Sequence, residues 1–372
     1  MVLKSLLIVT GNFPPDSGGP AKFSENFSIW CEMNDIATQV ITYSDKTDDQ
    51  SISNKRSIRS VNRFLPLPIK FTKLIIAIIN ERRKFQETLA VGSFLETYIA
   101  SIFVKFEYVA KVPGDIVWER ARNNKVTNLN INEFQEVRLT LKYRIFRIIF
   151  TKSLQKARRV IVPSLGLHQL CLNWGVPADK LELVYNSVEE DFYKVVNCAQ
   201  KDFDIITVCR LVPWKGVGEL ITYCAENNRK LAIIGEGPLR SELEEHARIT
   251  KTQVSFYGDI SQEEICGIMS RSKIFVLNSS YEGLPHALIE ARAAGLLSVA
   301  RAGTGSAEVI RDDVDGYLVR ADRDLNETLE TAFSAYEESS DMQSKAINDV
   351  NQRFDKQVNY SKIINLLETY SV

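Results

Sequence analysis

Three histidines and six cysteines in 372 residues leave little material for a metal centre or a disulfide scaffold. The cysteines, at positions 31, 171, 198, 209, 224 and 266, show no paired spacing, and no histidine stands near them in a metal-ligand register. His168, His246 and His286 are dispersed in the same way. This usage argues against zinc- or disulfide-stapled folds and fits buried thiols in a reducing compartment. Long apolar runs are missing too. The strongest, Leu74-Ile75-Ile76-Ala77-Ile78-Ile79, is too short to span a bilayer. The opening run at 3–10 has strand length and leads into a Gly-Pro loop instead of a small-residue cleavage site. A cytoplasmic protein is the expectation. No low-complexity tract and no repeat of fixed period appears.

Net charge is −1, which gives no electrostatic footprint for nucleic acid, so none is expected as a partner. The halves differ, however. Residues 1–187 hold 26 Lys and Arg against 17 Asp and Glu, and the remainder holds 20 against 30. Part of the cationic excess flanks the apolar run, at Lys70, Lys73, Arg82, Arg83 and Lys84. Another part, Arg138, Lys142, Arg144, Arg147 and Lys152, alternates with apolar residues at helical spacing. Such a helix either faces a core with its charged side in water or binds an anionic membrane surface. We expect peripheral contact with the inner face of the cell membrane.

A chain this long normally makes two domains, because single cores stop growing near about 250–300 residues. In the first half, apolar segments at 6–10, 39–43, 58–61, 88–92, 108–112 and 160–162 read as strands. Helical spacing occupies 21–32, 69–83, 94–103 and 138–152, and an acidic turn covers 45–49. In the second half, strands are expected at 205–209, 231–235, 253–257, 273–277, 297–300 and, after the Asp315-Gly316 turn, 317–319. Residues 360–370 read as a closing helix. Strands alternating with helices predict an α/β protein with two parallel sheets wound on both faces, and ligands at the carboxyl ends of the strands.

Two loops carry the chemistry. Asn278-Ser279-Ser280-Tyr281-Glu282-Gly283-Leu284-Pro285-His286-Ala287-Leu288-Ile289-Glu290 places two carboxylates across the start of a helix that Pro285 opens and Gly295 stops. Backbone N–H groups at such a start attract a phosphate, and the carboxylates can hold hydroxyls on either side of it. The second loop, Arg210-Leu211-Val212-Pro213-Trp214-Lys215-Gly216, follows a strand and sets two cations near a helix start. Arg forks onto phosphate oxygens and Lys supplies a point charge. An ordinary solvated turn explains either loop alone; together they fit a sugar nucleotide.

These motifs resemble glycosyltransferase family 4, retaining enzymes of the GT-B fold. The resemblance also includes Gly235-Glu236-Gly237-Pro238, Phe256-Tyr257-Gly258, the Asn186-Ser187-Val188 turn with Phe192, and Phe13-Pro14-Pro15-Asp16-Ser17-Gly18-Gly19. It implies two facing Rossmann-like domains. Residues 1–187 would bind the acceptor, 188–355 the nucleotide sugar, and 356–372 would form a helix crossing back to the first domain. The implied reaction moves a sugar, with retention, from a nucleoside diphosphate to an acceptor hydroxyl on a lipid-linked or surface-polysaccharide glycan. Donor phosphates would meet Gly18, Gly19, Arg210, Lys215 and the helix at Pro285. Glu290 would take the ribose, and Glu282 with the Gly283–Leu284 backbone the sugar.

Many relatives carry a histidine after the strand at 108–112, where this chain reads Pro113-Gly114-Asp115. Asp115 is expected to orient the acceptor or the donor sugar in its place. Asp202-Phe203-Asp204 and Asp313-Val314-Asp315 could suggest metal, but fixed cations and helix N–H groups already meet a diphosphate, so no metal and no cofactor is expected. Glu308, in the Gly-rich 303–308 segment, is read as structural. Two rival functions remain on sequence alone: a sugar-nucleotide epimerase of the same twin-domain fold, and a non-catalytic binding scaffold.

Overall fold

The structure is a computed structural model that describes residues 2–16, 18–45, 50–303 and 305–368. Ser17, most of the acidic turn (46–49), Thr304 and residues 369–370 of the closing helix lie outside the described residues. The chain divides into two compact units, Met1–Tyr185 with Gln357–Val372, and Asn186–Lys356.

The first unit is built on strands β1 (Ser5–Thr10), β2 (Ala37–Ser44), β3 (Gln50–Ser51), β4 (Arg56–Asn62), β5 (Glu87–Val91), β6 (Val109–Lys111), β7 (Arg159–Val162) and β8 (Leu181–Leu183). Their order is β3-β4-β2-β1-β5-β6-β7-β8, parallel throughout except for the two-residue edge strand β3. That antiparallel edge was not legible as a strand. The central strand β1 is buried on both faces, which is why it reads as a continuous apolar run. Leu6 and Ile8 pack into one core, Leu7 and Val9 into the other.

The closing helix, Lys356–Glu368, completes the first of these cores. The Tyr360 ring stands edge-on to Phe23, Phe27 and Trp30, with centroids 6.0, 5.1 and 5.7 Å away. Trp30 Nε1 donates to Gln357 Oε1 at 2.7 Å, and the Leu3 amide donates to Glu368 Oε1 at 2.7 Å. Burying Tyr360, Ile363, Ile364 and Leu367 stabilises this docking by about 1.5–3 kcal/mol per side chain.

The basic helix differs from its expected bounds. It spans Leu141–Lys156, with Arg138 outside it, and a separate short helix, Ile131–Glu136, precedes it. The short helix is started by a capping box in which Asn130 and Glu133 satisfy each other's backbone amides. Arg147 also turns inward from the basic helix.

The second unit has six strands: β9 (Phe203–Val208), β10 (Leu231–Ile234), β11 (Val254–Gly258), β12 (Ser272–Leu277), β13 (Leu297–Arg301) and β14 (Tyr317–Val319). All pairings are parallel, in the order β11-β10-β9-β12-β13-β14. From β9 the chain winds outward one way through β10 and β11, and from β12 the other way through β13 and β14. The crevice outside the carboxyl ends of β9 and β12 is therefore a topological switch point, where such sheets bind ligands. All six cysteines are free; Cys31, Cys171 and Cys224 are buried as expected, while Cys198 is exposed.

Candidate active site

Both motif loops leave that switch point. The loop after β9 is pinned from beneath by buried Leu211, Val212 and Trp214, then turns through a short 3-10 segment, Pro213–Lys215, into the helix Val217–Glu226. Its turn requires Gly216, which has φ +62° and whose missing Cβ would fall 2.5 Å from Asn278 Nδ2. The neighbouring Gly235 allows a similarly close approach, since a Cβ there would meet the Cys209 carbonyl oxygen at 2.1 Å.

The loop after β12 lies directly against it. The Ser280 amide donates to the Trp214 carbonyl at 2.9 Å, and Asn278 Nδ2 donates to the Gly216 carbonyl at 2.9 Å. Asn278 also donates to Glu219 Oε2 at 3.0 Å and accepts from Arg301 Nε at 2.9 Å. Arg301 Nη2 reaches the same Glu219 carboxylate at 2.6 Å. Asn278, Glu219 and Arg301 thus lock the two loops together. The sequence reading passed over all three. Asn278 stood in the quoted run without a role, and only the adjacency of β9 and β12 gives it one.

On this base Lys215 Nζ donates to Glu282 Oε1, with both side chains largely buried. Burial beneath the pair pushes the Cys209 thiol up to about 11, with the nearby Lys215 charge pulling it down and Glu282 raising it. Arg210 is exposed, and its guanidinium has no hydrogen-bond or ion-pair partner among the described residues. One of the two expected cations is therefore already matched to a carboxylate, and the other projects bare into solvent.

Three further contacts shape the carboxylate loop. The Gly305 amide donates to the Glu282 carbonyl at 3.0 Å, and a Cβ on Gly305 would come within 2.6 Å of the Gly283 carbonyl oxygen. Gly305 thus braces Glu282 and Gly283. Asn186 Nδ2 donates to the Leu284 carbonyl at 3.0 Å, which ties the start of the second unit to the same loop. Pro285 is the N-cap of the helix His286–Ala293, which therefore starts one residue later than expected, a difference within ordinary end fraying. Glu290 is 4% exposed inside that helix. Its neighbour Arg292 is fully buried, and its Nη atoms donate to the Asp315 carbonyl at 2.8 Å, Asp315 Oδ1 at 2.9 Å and Asp349 Oδ2 at 3.2 Å.

The first unit holds the remaining predicted residues. Gly18 has φ +122° and caps the helix Gly19–Met33, with open space where its Cβ would stand. Asp115 departs from expectation. It is fully buried and caps the helix Ile116–Asn123 by accepting from the Val117 and Trp118 amides at 3.0 and 3.1 Å. Its other oxygen accepts from Gln135 Nε2 at 3.1 Å and from Arg147 Nη2 at 2.7 Å. A carboxylate spent this way organises the unit's interior, and its expected contact with substrate is corrected to a structural role. The cation that turns inward to meet it, Arg147, comes from the basic helix.

The Asp-x-Asp pairs are likewise engaged. Asp202 pairs with Arg271, Asp204 with Lys273, Asp313 with Arg323 and Asp315 with Arg292 and Arg311. Among the described residues no group of His, Cys, Asp or Glu is arranged to hold a metal ion.

The second unit resembles known proteins in sequence. Residues 188–349 match the family described as Glycosyl transferases group 1. This segment is similar to that family. The matched segment contains both motif loops and the Asn278, Glu219 and Arg301 contacts that join them. Among curated relatives, the amylovoran biosynthesis glycosyltransferase AmsK of Erwinia amylovora is 30% identical over 172 residues, 42% of this chain and 42% of that one. The Escherichia coli UDP-Gal:alpha-D-GlcNAc-diphosphoundecaprenol alpha-1,3-galactosyltransferase is 28% identical over 136 residues, 34% of this chain and 35% of that one. The chain spans less than half the length of these relatives.

Solved structures extend the likeness to the whole fold. Anabaena HepE, solved with UDP and glucose, matches 98% of this chain and 100% of its own, with TM-score 0.75 and 16% identity. Sucrose-phosphate synthase from Thermosynechococcus elongatus matches 98% of each chain, with TM-score 0.80 and 14% identity. Identities this low speak for the fold, and the fold of both units is that of GT-B glycosyltransferases.

Proposed function

We propose that this protein is a retaining glycosyltransferase that moves a sugar from a nucleoside diphosphate to an acceptor hydroxyl. The observation that carries the reading is the placement of Arg210, Lys215 and Glu282 at one switch point, inside a glycosyl transferases group 1 domain. The donor diphosphate takes the bare Arg210 guanidinium and the Lys215 ammonium, and its arrival replaces part of the Lys215–Glu282 pairing. Glu282, so released, accepts hydrogen bonds from the donor sugar, with the Gly283, Leu284 and Pro285 backbone beside it. Glu290 accepts from the ribose hydroxyls. In the first unit, Gly18 and Gly19 open a helix whose first amides suit a phosphate oxygen, and the left-handed turn at Gly18 leaves that approach unobstructed.

The acceptor oxygen bonds to the anomeric carbon as the bond from that carbon to the diphosphate oxygen breaks, and the acceptor proton leaves on the diphosphate. Charge grows on the departing oxygens, so fixed cations aimed there lower the barrier without a metal. Positioning of the two reactants supplies the rest. Attack from the leaving-group face, which gives retention, is the course the family resemblance implies.

The printed name of the E. coli relative contains UDP-Gal and a diphosphoundecaprenol acceptor, and HepE was solved with UDP, which supports a UDP-sugar donor and a lipid-linked glycan acceptor. The reading extends to peripheral contact with anionic lipid, motivated by the cationic excess of residues 1–187. Incubation with radiolabelled sugar nucleotides, with and without polyprenyl-diphosphate glycan, tests it. Transfer of label only when the acceptor is present is expected. Donor rearrangement without acceptor points to an epimerase, and neither outcome with intact nucleotide binding points to a scaffold.

A further inference from the structure

We propose that the outward face of three adjacent helices in the first unit docks on an anionic bilayer, inserting apolar side chains between lipid headgroups. The inference rests on the peripheral-membrane reading above and names the surface that carries it. Helix Phe94–Val104 packs against both Leu67–Arg82 and Leu141–Lys156. The Phe94 ring, for example, stands edge-on to Phe150 at 5.8 Å. Leu74, Ile78, Ala100 and Leu154 fill the inward sides.

The outward sides are unusual for a surface in water. Ile76 is 50% exposed, Ile102 58%, Phe103 72%, Leu141 73%, Ile145 48% and Ile148 46%. Leu141, Ile145 and Ile148 follow helical spacing, so they form one stripe. Lys73, Lys142, Arg144 and Lys152 are exposed on the same helices. Single exposed apolar residues need no explanation, but a grouped set of large ones marks an interaction site.

Charge selects the occupant. The three helices contain two acidic residues, Glu81 and Glu96. Glu81 is buried between Arg59 and Lys84. Glu96 accepts from the Tyr43 hydroxyl at 3.1 Å, and burial pushes its carboxyl above the ordinary value. The exposed acids nearby lie off these helices: Glu133 and Glu136 on the preceding helix Ile131–Glu136, and Glu107, after Val104, beside Arg158 at 3.8 Å. The outward faces thus combine cations with large apolar groups and present no solvated carboxylate of their own. Anionic headgroups attract the first, and the interfacial layer takes up the second.

The test uses the full chain and flotation with vesicles of phosphatidylcholine alone or mixed with phosphatidylglycerol. Partition onto the anionic vesicles should exceed that onto neutral ones by about tenfold or more, and Lys142→Ser and Arg144→Ser should each lower it about fivefold. Ile102→Ser with Phe103→Ser should lower binding at high salt as well, because the apolar contribution is not screened. Equal partition to both vesicle types, or variants that bind like the parent, overturns the proposal. Self-association that Phe103→Ser abolishes, without vesicle binding, assigns the face to a second copy and also overturns it. Calorimetry with UDP on the same preparations separates the two readings: lost nucleotide binding with intact flotation counts against glycosyl transfer alone.

Discussion

Lys215 and Glu282, 67 positions apart in sequence, meet as an ion pair across the carboxyl ends of β9 and β12. Each was expected to serve a different part of the donor. Their pairing before any donor is present holds both side chains in place and shields a largely buried charge of each sign, which would otherwise be costly.

Removing the cations should separate their roles. Arg210→Ala and Lys215→Ala should each slow turnover by about 2–4 kcal/mol, the scale of a lost charge-stabilising group. Only Lys215→Ala leaves a carboxylate without its partner, so it should lower the melting temperature while Arg210→Ala should not. A double-mutant cycle of Lys215→Ala with Glu282→Gln should be clearly non-additive, because the two side chains touch. Near-parental turnover of either cation variant at saturating donor removes that residue from the site.

Glu282→Gln and Glu290→Gln should fail differently. Glu290 is assigned to the ribose, which does not react, so its loss should weaken binding of the free nucleoside diphosphate as well as of the intact donor. Glu282 is assigned to the transferred sugar. Its loss should leave nucleoside diphosphate affinity nearly intact and lower the single-turnover rate, as for a contact that strengthens in the transition state. Calorimetry beside rapid-quench rates gives both quantities, and the opposite pattern would exchange the two assignments.

Turnover should survive EDTA. Arg210, Lys215 and helix amides face the diphosphate in the proposed complex, and the four Asp-x-Asp carboxylates already hold Arg or Lys partners. Loss of activity on chelation, restored by a divalent metal, would require a different diphosphate site.

Acid should loosen the second unit through Asp315. Burial alone raises its carboxyl, but hydrogen bonds and charge from Arg292 and Arg311 outweigh that and hold it below the ordinary value of 3.8. A carboxyl depressed in the folded state stabilises the fold above its unfolded value, and the contribution is lost as pH falls through the folded one. Asp315→Asn should flatten the acid limb of the stability curve. Asp315→Ala should cost about 3 kcal/mol at neutral pH, since it removes one of the two carboxylates that pair with the fully buried Arg292 and leaves it Asp349 and the backbone carbonyl at 315. Urea unfolding between neutral and acidic pH measures both; an unchanged acid limb in Asp315→Asn would assign acid sensitivity elsewhere.

Asp115 shows where local reading stopped. From its position after a strand, where relatives carry a histidine, Asp115 is expected to orient the acceptor or the donor sugar. An aspartate just before a helix is equally an N-cap, and the structure chose that role because Arg147 and Gln135 close over its second oxygen. Asn278 erred the other way. It looked like a loop residue, yet it ties together two loops whose strands are neighbours only in the folded sheet.

The sequence by itself determined the two α/β units, the two motif loops and most strand and helix positions, because apolar periodicity and Gly or Pro punctuation act over a few residues. It also determined which charges each loop carries. Tertiary structure alone decided that β9 lies beside β12, and with that the Lys215–Glu282 pair, the Asn278 brace and the inward turn of Arg147. Strand order follows from burial summed over a whole sheet, and no short window of sequence contains that sum.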